Sequence, residues 1–111
     1  MFDAHCHLEY MEEPESVIKE AKTRMHGLVT SCASTAHMDI TMKLAGDNPD
    51  FVYASLGLHP ESTLVKEELI RQYMDFIREN SRKIAAVGET GLDYHWAKTE
   101  EKRKHTIAIF E

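Results

Sequence analysis

The sequence predicts an α/β protein assembled from successive βα units on a parallel sheet. Three observations carry this reading. Short apolar runs alternate with longer segments of helical period, in the order βαβαβαβα. Clusters rich in His, Asp and Glu stand at the C-terminal ends of the apolar runs, where parallel α/β folds build their sites. The composition, 42% hydrophobic and 29% charged over 111 residues, is that of an ordinary globular domain. About two-thirds of the unfolded chain's surface can be buried at this length, which is enough for a core without staples but too little for a complete large enzyme fold.

Met1–Ala4 is read as a short first strand ending at a polar cluster. Glu13–Met25 is the first helix, with Pro14 suited to a first-turn position and Val17, Ile18, Ala21 and Met25 at helical spacing. Gly27 breaks it, and Leu28–Thr30 with its β-branched residues is the second strand, ending at Ser31 and Cys32. Ser34 or Thr35 is placed to cap a helix over Ala36–Gly46, where Ile40, Leu44 and Ala45 make the apolar stripe and Gly46 with Pro49 supplies the stop. Phe51–Leu56 is the third strand, and Gly57 to about Thr63 is a loop around Pro60. Lys66–Asn80 follows as the most sharply two-faced helix, with Leu69, Ile70, Tyr73, Phe76 and Ile77 on one side. Ile84–Val87 is a fourth strand, Gly88–Trp96 a loop, and Thr99–Phe110 a last helix with an acidic start and an apolar end. No internal repeat, low-complexity tract or linker interrupts the series.

Thirteen Lys and Arg against nineteen Asp and Glu leave a net charge of −6 with His neutral. Such a field repels a polyanion, so any contact with nucleic acid must be local. Two cysteines, Cys6 and Cys32, are too few for a disulfide framework, and the start Met-Phe-Asp-Ala-His has neither a basic nor an apolar leader region. A reducing, cytoplasmic setting is the expectation. No apolar run approaches the roughly 20 residues that cross a bilayer, so no membrane partner is expected.

The chemistry concentrates at three strand ends: Asp3-Ala4-His5-Cys6-His7, Gly57-Leu58-His59-Pro60 and Gly88-Glu89-Thr90-Gly91-Leu92-Asp93-Tyr94. Residues i and i+2 of an extended segment point the same way, so His5 and His7 are spaced to grip one divalent ion; the alternative is a pair of solvated histidines. Glu89 follows an apolar strand between two glycines, placed to reach into a site, or to cap the next segment or pair with a lysine. A carboxylate with two imidazoles makes a nitrogen and oxygen donor set suited to Zn²⁺, Mn²⁺ or a similar cation. His59, fixed by the following Pro60, either faces the same mouth toward a phosphate or a metal, or packs in its loop. Asp93 is either an acceptor orienting a ligand histidine or a turn-forming residue. Tyr94 and Trp96 either stack on a base or pack at the loop–helix junction. Cys6 alternates to the opposite face and, like Cys32, is read as a small buried hydrophobe. His26 is read as a helix-end residue, and His37 and His105 as helix residues without a site role.

Phe2-Asp3-Ala4-His5-Cys6-His7-Leu8, Gly57-Leu58-His59-Pro60 and Val87-Gly88-Glu89-Thr90-Gly91-Leu92-Asp93-Tyr94 together resemble the three N-terminal signatures of the TatD family of metal-dependent deoxyribonucleases, in the same order and with similar spacing. The last helix, with Arg103 and Phe110, looks like the family's segment after the glutamate motif. The resemblance implies a (β/α)8 TIM barrel of the amidohydrolase type, of which this chain covers about the first four βα units, a half-barrel. It also implies one or two divalent ions, Zn, Mn or Mg, at the C-terminal mouth, and hydrolysis of phosphodiester bonds in DNA by a metal-activated water. Carried over, His5 and His7 would bind one metal, Glu89 would bind or bridge metals as the catalytic carboxylate, and His59, Asp93 and Tyr94 would line the substrate pocket.

Family members continue with two further histidines and an aspartate at later strand ends. Residues 1–111 are therefore expected to be the N-terminal part of a hydrolase domain. An open half-barrel exposes sheet edges and an apolar inner face, so a missing C-terminal half or a homo-oligomer is expected to cover it. The competing readings are an amidohydrolase-type enzyme on a non-nucleic-acid substrate, and an incomplete fragment that binds metal or a partner chain.

Overall fold

The computed structural model describes residues 1–32, 34–61 and 66–111. Strand β1 spans Phe2–Cys6 and runs into a single 3-10 turn over Leu8–Tyr10; helix α1 covers Pro14–Ala21 and β2 Gly27–Cys32. A second 3-10 turn at Thr35–His37 leads into α2 (Met38–Asp47), followed by β3 (Val52–Leu56), α3 (Glu67–Glu79), β4 (Ala86–Val87) and α4 (Glu100–Phe110). The four strands form one sheet in the order β1-β2-β3-β4, and every pairing is parallel. The α/β fold class and the order of the units are those expected from the sequence.

Strand β1 is irregular. Asp3 pairs with Leu28 and Cys6 with Thr30, so three steps on β1 face two on β2 and one extra residue is accommodated beside His5. The His5 amide donates to Asp3 Oδ1 at 3.0 Å, so a side chain satisfies it locally. The bulge thus extends the first strand beyond Ala4 and through both His5 and Cys6.

The core lies between the sheet and its helices in two patches. Leu8, Ile18, Leu28, Leu44, Phe51 and Val52 form one. Cys32, Met38 and Leu56 form the other, with Tyr73, Phe76, Ile77 and Ile84 packed against it. Leu44 and Leu56 are fully enclosed, and burial of such a side chain stabilises by about 1.5–3 kcal/mol.

Element ends depart from the sequence reading for local reasons. Helix α1 stops at Ala21 rather than Met25, because Lys22–Arg24 are taken by turn hydrogen bonds and the Thr23 hydroxyl donates to the Glu20 carbonyl at 2.7 Å. Helix α2 begins only at Met38, after the 3-10 turn, and runs past Gly46 to Asp47; Asn48 ends it, its amide N–H donating to Ala45 and its side chain to Leu44. Ser34 caps as expected, accepting from the Ala36 amide, and Thr99 caps α4, accepting from the Lys102 amide. On α3, Leu69 turns to solvent while Ile70 is buried. Strand β4 is shorter than Ile84–Val87, and both of its residues are exposed. The end of the predicted Gly57–Thr63 loop, at Ser62 and Thr63, lies outside the described residues.

Candidate metal centre

His5 and His7 leave the end of β1 on either side of Cys6, and both are held from β2. The Nδ1 atom of His7 lies 2.7 Å from the Ser31 carbonyl oxygen. A carbonyl only accepts, so the proton sits on Nδ1 and Nε2 presents its lone pair. The Nδ1 atom of His5 meets the hydroxyl of the same Ser31 at 3.3 Å. The two Nε2 atoms then approach to 3.2 Å, with the rings edge to face.

Glu89 comes from the opposite margin of the sheet. Two close backbone approaches place it. The Ser55 hydroxyl donates to the Gly88 carbonyl at 3.1 Å, and Gly57 is seated so tightly on the Gly88–Glu89 backbone that a Cβ there would collide with the Glu89 carbonyl oxygen. Gly91 is seated against the Pro60 ring, where a Cβ would also collide. The loops after β3 and β4 are thereby clamped together, and Oε1 of Glu89 comes to 3.4 Å from His5 Nε2 and 3.5 Å from His7 Nε2.

That oxygen is buried and has no hydrogen-bond partner among the described residues. An anionic oxygen in that state is costly unless a positive charge meets it. The donor spacing fits a cation: ligand atoms about 2 Å from a tetrahedral centre stand roughly 3.3 Å apart, close to all three separations here. Two imidazoles and a carboxylate are also donors that first-row divalent ions accept.

His59 joins the cluster on the far side of Glu89, with Nε2 at 3.7 Å from Oε2. Its Nδ1 accepts from the Glu61 amide at 3.3 Å, so the proton is on Nε2 and points toward the carboxylate. The structure thus gathers His5, His7, Glu89 and His59. Asp93 has the turn geometry: its Oδ1 accepts from the His95 amide at 2.7 Å. Tyr94 is half-exposed beneath the Arg103 guanidinium, 4.8 Å from its ring centre, while Arg103 Nε donates to the Ala97 carbonyl.

Cys6 Sγ donates to the Val29 carbonyl on the other side of the strand. Burial, with the charges of Asp3 and Glu9 adding, pushes its thiol up to about 11. It packs against the core only half-buried, where the sequence predicts a buried residue, and Cys32 is buried as expected. His26 lies beyond the end of α1, where its amide donates to the Met1 carbonyl. His37 stands in the turn before α2, not inside a helix, with its ring edge-on to Tyr10 at 5.3 Å; Tyr10 in turn lies 6.0 Å from His7. Sequence reasoning missed Glu9, Tyr10 and Ser31 as neighbours of the cluster, and placed Asp3 in its strand-end run without a role. Only Glu9 carried a signal, two residues after His7.

The family profile described as TatD related DNase matches residues 2–111, which is nearly the whole chain. The chain belongs to the TatD family. Among curated TatD-family relatives, an uncharacterized metal-dependent hydrolase of Bacillus subtilis is 32% identical over 89% of this chain and 40% of its own length. One from Methanocaldococcus jannaschii is 30% identical over 98% of this chain and 45% of its own. The crystal structure of YjjV, a TatD homolog from Escherichia coli, superimposes with a TM-score of 0.72 at 19% identity, covering 98% of this chain and 46% of that one. The fold is therefore a partial TatD barrel, four of its parallel βα units, and the chain spans less than half the length of these relatives. No helix among the described residues is long and apolar enough to cross a membrane.

Proposed function

We propose that this chain contributes the first half of the catalytic mouth of a metal-dependent hydrolase that cleaves phosphodiester bonds of DNA. The observation that carries the reading is the convergence of two imidazole Nε2 atoms on a buried carboxylate oxygen without a hydrogen-bond donor. The family's description as DNases and its relatives' names as metal-dependent hydrolases support it. His5, His7 and Glu89 would hold a divalent ion through their Nε2 atoms and a carboxylate oxygen. When bound, such ions supply Lewis-acid polarisation of a phosphoryl oxygen and acidification of a water. The Nε2–H of His59 is a fixed donor beside Glu89, suited to hold a phosphate oxygen. Asp93 shapes the following loop, and Tyr94, pinned by Arg103, offers a ring face to an unstacked base.

The net charge of −6 favours a mouth that takes a DNA end or single strand over a surface that tracks a duplex. The same charge favours a second reading, an uncharged or small non-nucleic-acid substrate at the same ligands. Further metal ligands would come from a C-terminal half or a second copy, in a cytoplasmic setting. The test is hydrolysis of bis-p-nitrophenyl phosphate and of a single-stranded oligonucleotide with added Zn²⁺, Mn²⁺ or Mg²⁺ by the full-length protein that carries this chain, compared with its Glu89→Ala variant. Ion-dependent cleavage lost in the variant is the expected result. Equal rates in both, or no cleavage under any ion, overturn the proposal, and cleavage confined to amide or lactone substrates favours the second reading.

A further inference from the structure

The Glu9 side chain is fully buried beside the cluster. A carboxylate is seldom enclosed unless its surroundings use it, because taking its charge out of water is expensive. Its Oε1 lies 3.3 Å from His7 Nδ1, on the side of the ring away from Glu89. Its Oε2 accepts from the Thr30 hydroxyl at 3.4 Å. Thr30 Oγ1 in turn accepts from the Leu8 amide at 3.1 Å, which ties the carboxylate to the first residue of the turn that follows His7. Thr30 itself is fully enclosed, so this chain of bonds is shielded from solvent.

We infer that Glu9 is a positioning residue: its buried carboxylate, together with the Ser31 carbonyl, holds the Nδ1 side of His7 so that Nε2 faces His5 and Glu89. The inference rests on the metal-centre reading given above. The work is divided between the two acceptors. The Ser31 carbonyl, at 2.7 Å, takes the direct hydrogen bond. Glu9 adds negative charge behind the ring, which makes Nε2 a stronger donor toward a cation, and its link to Thr30 fixes the turn that carries the ring. Carboxylates behind metal-binding imidazoles act in this way, and removing them lowers metal affinity about 10–100-fold.

The experiment uses isosteric Glu9→Gln in the 111-residue chain, with Thr30→Val as the milder variant that leaves the carboxylate in place and removes its anchor. The decisive readout is the ¹⁵N and ¹H shift of the His7 Nδ1–H group in metal-free protein, with circular dichroism verifying the fold. Zn²⁺ affinity by titration calorimetry is the second readout. The expected result is a displaced His7 resonance in Glu9→Gln, a smaller displacement in the same direction in Thr30→Val, and a tenfold or greater loss of Zn²⁺ affinity in Glu9→Gln. If Glu9→Gln does not fold, Thr30→Val decides. An unmoved His7 resonance in the folded variant overturns the inference whatever the affinity does. Failure of the unsubstituted chain to take up Zn²⁺ overturns the metal-centre reading instead, while the metal-free resonance still decides the role of Glu9.

Discussion

The two margins of the sheet are built differently. On the β1–β2 side, the strand-end histidines are held by β2, backed by Glu9 and Thr30, and set above a closed patch of core. On the β4 side the strand is two exposed residues long, Val87 is 64% exposed and Phe110, at the end of α4, is 55% exposed. Between α3, β4 and α4 runs an apolar groove lined by Leu58, Met74, Ile77, Val87, Ile109 and Phe110. Both margins are edges of the sheet, but the histidines are held by side-chain and carbonyl partners from β2, whereas Glu89 depends on backbone clamps for its position. The cluster spans the sheet, so its geometry reports whether both margins are in place.

The comparison can be broken by substitution, and the largest effect is expected in the shared interior. Leu56→Ala empties a fully enclosed site between β3 and its helices and is expected to cost about 3–4 kcal/mol in urea denaturation. A loss below about 1 kcal/mol would mean that the core patch around Cys32 and Met38 does not hold the fold. Next comes the clamp: Gly57→Ala forces a methyl into the Glu89 backbone and is expected to cost about 1–3 kcal/mol and to weaken divalent-ion binding together with stability. Unchanged ion affinity in that variant would free Glu89 from the β3 loop. A smaller effect is expected from Thr99→Ala, which removes the cap of α4 and should cost about 1 kcal/mol. At the β4 margin, Val87→Ala should change stability by no more than about 0.5 kcal/mol, and a larger loss would show that this strand is covered in solution. The mildest test is chemical. Burial raises the Cys32 thiol above its ordinary value, so it stays protonated at pH 8 and should react with Ellman's reagent far more slowly in the folded chain than in urea. Equal rates would place Cys32 at the surface.

Much of this was legible from the sequence because strand ends in parallel α/β proteins face one way. That rule brings the strand ends bearing His5, His7, His59 and Glu89 to one mouth, while leaving open whether His59 and Glu89 turn into it. The supports were not legible, because their partners lie far along the chain. Ser31 meets His5 across 26 residues and Thr30 meets Glu9 across 21, and a hydroxyl at a strand end looks the same whether or not an imidazole stands beside it. Asp3 was hidden for another reason: its task exists only once a bulge frees the His5 amide. Helix ends were misplaced where a single side chain, such as Thr23 or Asn48, outweighed periodicity.

The seating of Gly57 on the Gly88–Glu89 backbone has a mechanical consequence. At that contact main chain meets main chain, so there is no rotamer to flip and no flexible arm to absorb a push. A displacement of the segment bearing His59 is therefore expected to shift the segment bearing Glu89 as well. The two loops behave as one stiff lever, and whatever leans on the first is felt at the second.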